Sequence, residues 1–138
     1  MVTHSLMNQV ASNPQILQEI TPRQFEELVC ELFEKEGNHV ELTKQTRDGG
    51  KDLIILNNSS LGDFVIYAEC KKRAPKYPVN VGFVRELYGT VNADNATAGI
   101  MVTTSYFSRD ARKFQEKIKS RMSLIDYTEL MKRIMACK

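Results

Sequence analysis

The spacing of hydrophobic positions changes several times along the chain, and each change marks a predicted element. The segment Thr21-Pro22-Arg23-Gln24 is a capping box with proline at the first helical position, which predicts the start of a helix. The apolar residues that follow have the spacing of one helical stripe: Phe25, Leu28, Val29, Leu32 and Phe33. Gly37 is a typical C-terminal stop. Residues 1–20 are weakly patterned and indicate an N-terminal arm or a short helix.

Beyond Gly37 the hydrophobic period changes to two, which predicts strands. Turn-forming residues at 47–50 and 57–62 separate the predicted strands. The expected strands are residues 38–43, 51–56 and 63–71. Residues 72–79 contain two prolines and predict a loop.

Helical and apolar patterns then alternate to the end of the chain. The expected elements are a helix over 81–92, a strand over 98–102 that is buried on both faces, a helix over 109–120, a strand at 124–125 and a helix over 128–135. The resulting order, α-βββ-α-β-α-β-α, predicts an α/β fold with a mixed central sheet and helices on both sides. We expect one domain over residues 21–138, preceded by the arm.

Composition is consistent with one soluble domain. The chain has 138 residues, of which 42% are hydrophobic and 26% charged, and it contains no long apolar run and no secretory signal pattern. We therefore expect an intracellular, cytoplasmic protein without a membrane span. Its three cysteines are too far apart in sequence to form a zinc or redox pair, which predicts reduced thiols: Cys30, Cys70 and Cys137.

Charge divides the chain into unlike halves. Residues 1–70 hold 5 Lys/Arg and 11 Asp/Glu, whereas residues 71–138 hold 14 Lys/Arg and 6 Asp/Glu. Such an asymmetry favours a basic surface that binds a polyanion. Two solvated faces of a nearly neutral protein would explain the charges equally well.

Acidic and basic residues come together at the end of the third predicted strand. Glu69 and Lys71 share a face, because side chains alternate along a strand. If the second and third strands form a hairpin closed at 59–62, paired residues have numbers that add to 121, and Asp52 then faces Glu69. A β-bulge or a slip of one residue would turn Asp52 to the other face.

This set of groups fits metal-assisted hydrolysis of a phosphodiester. Mg²⁺ takes carboxylate oxygens, backbone carbonyls and waters, so Asp52, Glu69 and the backbone carbonyl of Cys70 are candidate ligands. Lys71 could orient the attacking water or stabilise the charge that develops on the phosphate. The alternative is an exposed cross-strand ion pair of little energetic value.

Several motifs in order resemble the Mrr-type catalytic domain of the PD-(D/E)xK nuclease superfamily. They are the 21–28 helix start, Asp48-Gly49-Gly50-Lys51-Asp52, Glu69-Cys70-Lys71, Val84-Arg85-Glu86-Leu87-Tyr88-Gly89, Gly99 to Ser105, Phe107-Ser108 and Ile125-Asp126. The resemblance implies a restriction-endonuclease-like fold with an αβββαβ core. Many members of the family carry glutamine where this chain has Glu69, but a carboxylate is the general form in the superfamily.

The resemblance also implies roles for individual residues. Asp52 and Glu69 are expected to be metal ligands, Lys71 the catalytic lysine and Glu26 an auxiliary acid near the metal. From its helical position, Glu26 could equally be a solvated acid. Asp48 is either a turn former or a further acid near the site. His4 and His39 have no partner that spacing identifies and are expected to be ordinary polar residues.

Basic and hydroxyl residues near the site are the candidates for DNA binding. They are Lys72, Arg73, Lys76, Arg85, Thr104, Ser105, Arg109, Arg112 and Lys113. For Arg85 a solvated helix face is the favoured alternative. For the hydroxyl residues, capping of the next helix is an equally good one.

The expected function is Mg²⁺-dependent cleavage of DNA, with Mn²⁺ able to substitute, in restriction of or defence against foreign DNA. A structure-selective nuclease, such as a Holliday-junction resolvase or a repair enzyme, and a non-catalytic DNA-binding domain are the alternatives. We expect a homodimer, because cutting both strands needs two active sites. The first 20 residues are too few for a DNA-reading domain, so recognition is expected from a separate domain or subunit.

Overall fold

The structure is a computed structural model that describes residues 5–44 and 50–137. Within these ranges the chain forms helices and strands that follow the predicted order. The helices are α1 (Leu6–Ser12), α2 (Ile16–Glu19), α3 (Pro22–Lys35), α4 (Val81–Ala93), α5 (Arg109–Lys117) and α6 (Tyr127–Ala136). The strands are β1 (His39–Leu42), β2 (Leu53–Ser59), β3 (Gly62–Lys71), β4 (Ala98–Thr103) and β5 (Met122–Ile125).

The strands form one mixed sheet in the order β1-β2-β3-β4-β5. Strands β1, β2 and β3 are antiparallel to one another, whereas β4 and β5 run parallel to β3 and are reached through α4 and α5. The predicted α/β fold with a mixed sheet and flanking helices is confirmed. Because β3 and β4 are parallel, their carboxyl ends at Lys71 and Thr103 lie at the same edge of the sheet.

The hairpin register agrees with the prediction. Paired residues of β2 and β3, from Leu53 with Ala68 to Ser59 with Gly62, have numbers that add to 121. The hairpin closes through a two-residue turn, and Gly62 after it has φ of 134°, a conformation that favours glycine. The predicted end of β2 at residue 56 was wrong, because residues 57–59 continue the ladder. Their polar side chains are exposed at the hairpin tip, where a strand tolerates them.

Two hydrophobic layers cover the two faces of the sheet. The N-terminal helices, α3 and α6 lie on one face, and α4 and α5 lie on the other. The weakly patterned N-terminal segment belongs to the first layer, since Met7, Val10 and Leu17 are fully buried in it. No helix in the part of the chain that the structure describes is long and apolar enough to cross a membrane.

Side-chain caps explain where the longer helices begin. Thr21 and Gln24 form the predicted capping box at α3. Asn80, Ser108 and Asp126 accept backbone N–H groups at the starts of α4, α5 and α6. Helix α5 ends at Lys117, not at the predicted Ser120, because residues after Ile118 turn early into β5.

Candidate active site

Asp52 lies directly before β2 and is held by both neighbouring strands. Its backbone N–H donates to the carbonyl of Ala68 at 2.8 Å. Its own carbonyl accepts the N–H and the hydroxyl of Thr43, at 2.9 and 3.0 Å. The backbone of Asp52 is therefore fixed at the start of β2, which limits where its carboxylate can lie.

The predicted direct pairing of Asp52 with Glu69 was wrong in detail. The ladder stops at Leu53 with Ala68, one residue before that pair. The carboxylate of Asp52 instead accepts the backbone N–H of Cys70, with Oδ2 at 2.8 Å from N. The ladder changes here because the N–H of Asp52 already bonds to Ala68. The side chain of Asp52 thus contacts the end of β3.

Glu69 and Lys71 share one face of β3, as predicted. Lys71 Nζ lies 3.0 Å from Glu69 Oε1 and 4.4 Å from the centre of the Phe83 ring on α4. Burial raises the pKa of Glu69 above its ordinary value. Lys71 opposes that shift, whereas Asp52 and Glu86 add to it. The site therefore places several carboxylates around one partly buried lysine.

Glu26 on α3 joins this group next to the carboxylate of Asp52. Its side chain is only 13% exposed, which contradicts the alternative of a solvated helix acid. Burial raises the pKa of Glu26, and the neighbouring carboxylate of Asp52 raises it further. Arg23 opposes the shift through a 2.9 Å contact with Oε1 of Glu26, and it also donates to the carbonyl of Thr43.

The groups present fit a hard cation better than zinc. Among the described residues, no three His, Cys, Asp or Glu side chains converge into a preformed metal cluster. Mg²⁺ needs only one or two carboxylates, because waters and substrate oxygens complete its shell. Burial raises the pKa of the Cys70 thiol well above its ordinary value, which disfavours the thiolate that a metal ligand needs.

The backbone carbonyl of Cys70 has a direction that suits a ligand. In a β-strand, the N–H and C=O of one residue point towards the same neighbouring strand. Since the N–H of Cys70 points to Asp52, its carbonyl points to the same side. Strand β2 begins only at Leu53, so among the described residues none of β2 pairs with Cys70.

Comparison with known proteins identifies the family. The family model of the Mrr catalytic domain, described as restriction endonuclease, matches residues 17–134. The chain belongs to this family. It is therefore a restriction-endonuclease-like nuclease domain, and the resemblance found in its motifs is confirmed.

Relatives of this Mrr-type domain are longer proteins. The uncharacterized protein y4cE of Sinorhizobium fredii (strain NBRC 101917 / NGR234) is 28% identical over 112 residues, which are 80% of this chain and 28% of that protein. The DNA modification-dependent restriction endonuclease AspBHI has a TM-score of 0.75 at 20% identity, over 98% of this chain and 36% of that one. MspJI restriction endonuclease, solved with a 27-mer oligonucleotide, has a TM-score of 0.55 at 22% identity, over 93% and 29%. The chain thus spans about a third or less of these proteins.

The basic loop of the Mrr-type domain, residues 72–79, begins beside the site. Arg73 lies over the same Phe83 ring as Lys71, at 5.5 Å, which orients its guanidinium next to the site. Lys76 is exposed and lies 5.3 Å from the ring of Tyr77. Lys72 instead donates from Nζ to the carbonyl of Gln18 at 2.9 Å, so its predicted contact with DNA competes with a contact inside the protein.

The predicted contact of Thr104 and Ser105 with phosphates does not fit the structure. Both residues are buried, with 1% and 4% of their surface exposed. The hydroxyl of Thr104 accepts the N–H of Arg73 at 2.8 Å and donates to its carbonyl at 2.7 Å. The hydroxyl of Ser105 donates to the carbonyl of Tyr77 at 2.7 Å. These side chains hold the basic loop in place.

The remaining basic candidates lie on α4 and α5. Arg85 covers the ring of Phe114 at 5.3 Å. Arg112 is paired with Asp126, with 2.8 Å between the guanidinium nitrogen and Oδ2. Arg109 and Lys113 are exposed at the start of α5, which follows the carboxyl end of β4. This position leaves both of them open to a polyanion at the edge of the sheet.

Sequence reasoning missed several residues that shape the site. Phe83 and Glu86 come to Lys71 and Glu69 from α4. Glu86 lies in one of the family motifs, but the motif does not show that it is near Glu69. Lys51 lies 4.5 Å from the ring centre of Tyr67 and 3.6 Å from Oδ2 of Asp94. Lys51 lies in the family motif that ends at Asp52, but the motif does not reveal these two contacts.

Two further predictions concern residues away from this centre. His39 is exposed and lies 3.8 Å from the carboxylate of Glu41, as expected for an ordinary polar residue. Asp48 and His4 lie outside the described residues.

Replacing the buried Thr104 by valine is expected to destabilise the domain by about 1–3 kcal/mol, because the partly buried N–H and C=O of Arg73 lose their partner. Urea unfolding at neutral pH measures this loss. Thr128→Val, at an exposed position on α6, is the control and should change the free energy of unfolding little. Equal effects of both substitutions would contradict the role given to Thr104.

Without divalent cations, the free energy of unfolding is expected to fall as the pH rises through the range in which Glu26 and Glu69 ionise. Burial raises the pKa of both carboxyls in the folded state. Such a group binds more protons when folded, so its stabilising contribution is present below the unfolded pKa and is lost as the pH rises through the folded one. Urea unfolding with a chelator present checks this. Glu69→Gln should flatten the dependence, and an unchanged slope would contradict the assignment.

Proposed function

We propose that this chain is the catalytic domain of a Mg²⁺-dependent DNA endonuclease that acts in restriction of foreign DNA, with Mn²⁺ able to replace Mg²⁺. The observation that carries the proposal is the carboxylate of Asp52, which accepts a backbone N–H from β3 and lies near two largely buried carboxylates, those of Glu26 and Glu69. Lys71, at 3.0 Å from Glu69, completes the group. Family membership supports the same chemistry.

Asp52, Glu69 and the carbonyl of Cys70 would hold the metal, and Glu26 would support it through Asp52. When bound, the metal supplies a Lewis acid for a phosphate oxygen and lowers the pKa of a bound water. Lys71 positions its ammonium where charge develops on the phosphate and donates hydrogen bonds there. The water oxygen forms a bond to phosphorus and gives up one proton to solvent. The ester oxygen leaves with its bonding pair and takes up a proton from solvent.

The Phe83 ring gives Lys71 a defined position for this role. The ring centre lies 4.4 Å from Nζ, which favours one placement of an otherwise flexible side chain. Arg73 on the same ring extends the positive surface towards the basic loop. Lys76, Arg109 and Lys113 are exposed and would hold the DNA backbone, with Arg85 and Arg112 in supporting positions.

Cleavage of supercoiled plasmid by the purified chain tests the proposal. Nicked or linear product should accumulate with Mg²⁺ or Mn²⁺, and a chelator should stop the reaction. If plasmid stays intact with both metals while the folded chain still binds DNA, the enzyme proposal fails. A non-catalytic DNA-binding domain would then account for the fold.

The kind of DNA that is cut is a separate part of the proposal. AspBHI is described as DNA modification-dependent, and it extends well beyond the part that this chain matches. We propose that recognition for this chain comes from a separate domain or subunit, and that two copies act together to cut both strands. Parallel assays on linear duplex, methylated duplex and a four-way junction distinguish restriction from a structure-selective activity. Faster cleavage of the junction would favour the resolvase alternative.

A further inference from the structure

A cavity of about 430 Å³ lies beside the candidate site, between α2 and the start of α6. Its wall includes Pro75 of the basic loop and residues 104–106, which follow the carboxyl end of β4. Asp52, Glu69 and Lys71 are not among its lining residues. The cavity has the size of a small-molecule site and opens at the edge of the sheet at which β3 ends.

Two exposed tyrosines line this cavity. Tyr106 is 46% exposed and Tyr127 is 37% exposed. The backbones that carry them are anchored, since the carbonyl of Tyr106 accepts the N–H of Val79 at 2.8 Å and the N–H of Tyr127 donates to the carbonyl of Ser105 at 2.9 Å. Rings on a fixed backbone lose little entropy when a flat ligand stacks on them.

The other side of the cavity carries amide groups. Gln15 and Gln18 line it from the N-terminal segment. In residues 5–44 and 50–137, neither side-chain amide has a hydrogen-bond partner, so both donors and acceptors are available. The carbonyl of Gln18 accepts Lys72 Nζ at 2.9 Å, which ties this wall to the loop after Lys71.

We propose that this cavity binds one unstacked nucleobase of the DNA substrate. Aromatic rings provide stacking surfaces, and glutamine amides match the donor and acceptor pattern of a base edge. The lining suits a base better than a phosphate, because it contains no lysine or arginine, and its one carboxylate, Asp126, is paired with Arg112. The inference rests on the proposed function, in that the DNA is the substrate of the neighbouring site.

Binding of two DNA duplexes in a chelator, where no cleavage occurs, tests the inference. The duplexes share one sequence, and one of them carries an additional unpaired 2-aminopurine. We expect the bulged duplex to bind about tenfold more tightly, and its fluorescence to fall on binding as the base stacks on tyrosine. Tyr106→Ala and Tyr127→Ala should remove this advantage and leave the affinity for the paired duplex unchanged.

Tyr77→Ala is the matched control, since Tyr77 is 51% exposed in the neighbouring loop but does not line the cavity. This variant should retain the preference for the bulge. Equal affinity of the unaltered chain for both duplexes would overturn the inference, as would loss of the preference in Tyr77→Ala to the same extent. Either result would overturn the base-binding inference without affecting the proposed nuclease activity, which plasmid cleavage tests separately. If the chain does not cleave DNA, its preference for the bulged duplex can still be measured.

Discussion

Replacing Lys71 by methionine is expected to slow DNA cleavage by roughly 10²–10⁴-fold, the range seen when a charge-stabilising or proton-transferring group is removed. Lys71 is the cation next to Glu69, and Phe83 defines its position. Methionine keeps much of the side-chain volume and removes the charge. Single-turnover cleavage with saturating enzyme and Mg²⁺ measures the rate of the chemical step.

Lys132→Met is the matched control, because Lys132 is an exposed lysine on α6 and its substitution changes the net charge by the same amount. Its cleavage rate should remain within a few-fold of the unaltered chain. DNA binding by Lys71→Met should also persist, since other basic residues contact the backbone in the proposed complex. A Lys71→Met variant that cleaves at the original rate would exclude the role given to this lysine.

Replacing Asp52 by asparagine is expected to reduce cleavage by roughly 10³-fold or more, as when a member of a catalytic unit is lost. Asparagine still offers an oxygen to the N–H of Cys70, so the local fold should be retained. Metal binding should fail, however, because the central carboxylate charge is gone. The rise in thermal stability that Mg²⁺ causes in the unaltered chain should therefore disappear.

Thermal unfolding over a series of Mg²⁺ concentrations checks the second part of this prediction. A ligand at one hundred times its dissociation constant stabilises the folded state by about 2.7 kcal/mol, which gives a clear shift. Asp63→Asn, on an exposed part of β3, is the control and should respond to Mg²⁺ like the unaltered chain. Equal stabilisation of Asp52→Asn by Mg²⁺ would place the metal elsewhere.

Local signals predicted much of the fold. The capping box at Thr21 and Gln24 and the register between β2 and β3 depend on residues close in sequence, and both were confirmed. The end of β2 was missed because residues 57–59 are polar, although at an exposed hairpin tip polarity does not exclude a strand. An element is thus predictable where its apolar residues are the buried ones. Strand residues at an exposed hairpin tip are not, because they can all be polar.

The candidate site was predictable in its members and less so in its geometry. The spacing of Glu69 and Lys71 identified one shared face, and the hairpin register predicted that Asp52 lies near Glu69. Only Glu26 came from the family resemblance. Hydrogen bonds between distant segments decided the rest. The Cys70 N–H bonds to the Asp52 carboxylate, in place of the expected cross-strand pair. Thr104 bonds to the backbone of Arg73, so its hydroxyl is not available to DNA.

Contacts from α4 were beyond sequence reasoning for the same reason. Phe83 meets Lys71 only because α4 crosses the end of β3, a consequence of packing between elements. Lys51 is held over Tyr67 and near Asp94, both of which are far from it in sequence. Such long-range contacts produce no hydrophobic periodicity in the sequence, so the sequence pattern does not predict them.

Localised cutting of the polypeptide by bound Fe²⁺ tests the central claim most directly. With ascorbate and peroxide, Fe²⁺ in the metal site produces hydroxyl radicals that break the backbone close to the ion. We predict main cuts next to Asp52 and within 69–71, a weaker cut near Glu26, and suppression of all of them by excess Mg²⁺ or by Asp52→Asn. Cuts at other segments, or cuts that neither Mg²⁺ nor this substitution suppresses, would contradict a metal site between Asp52 and Glu69.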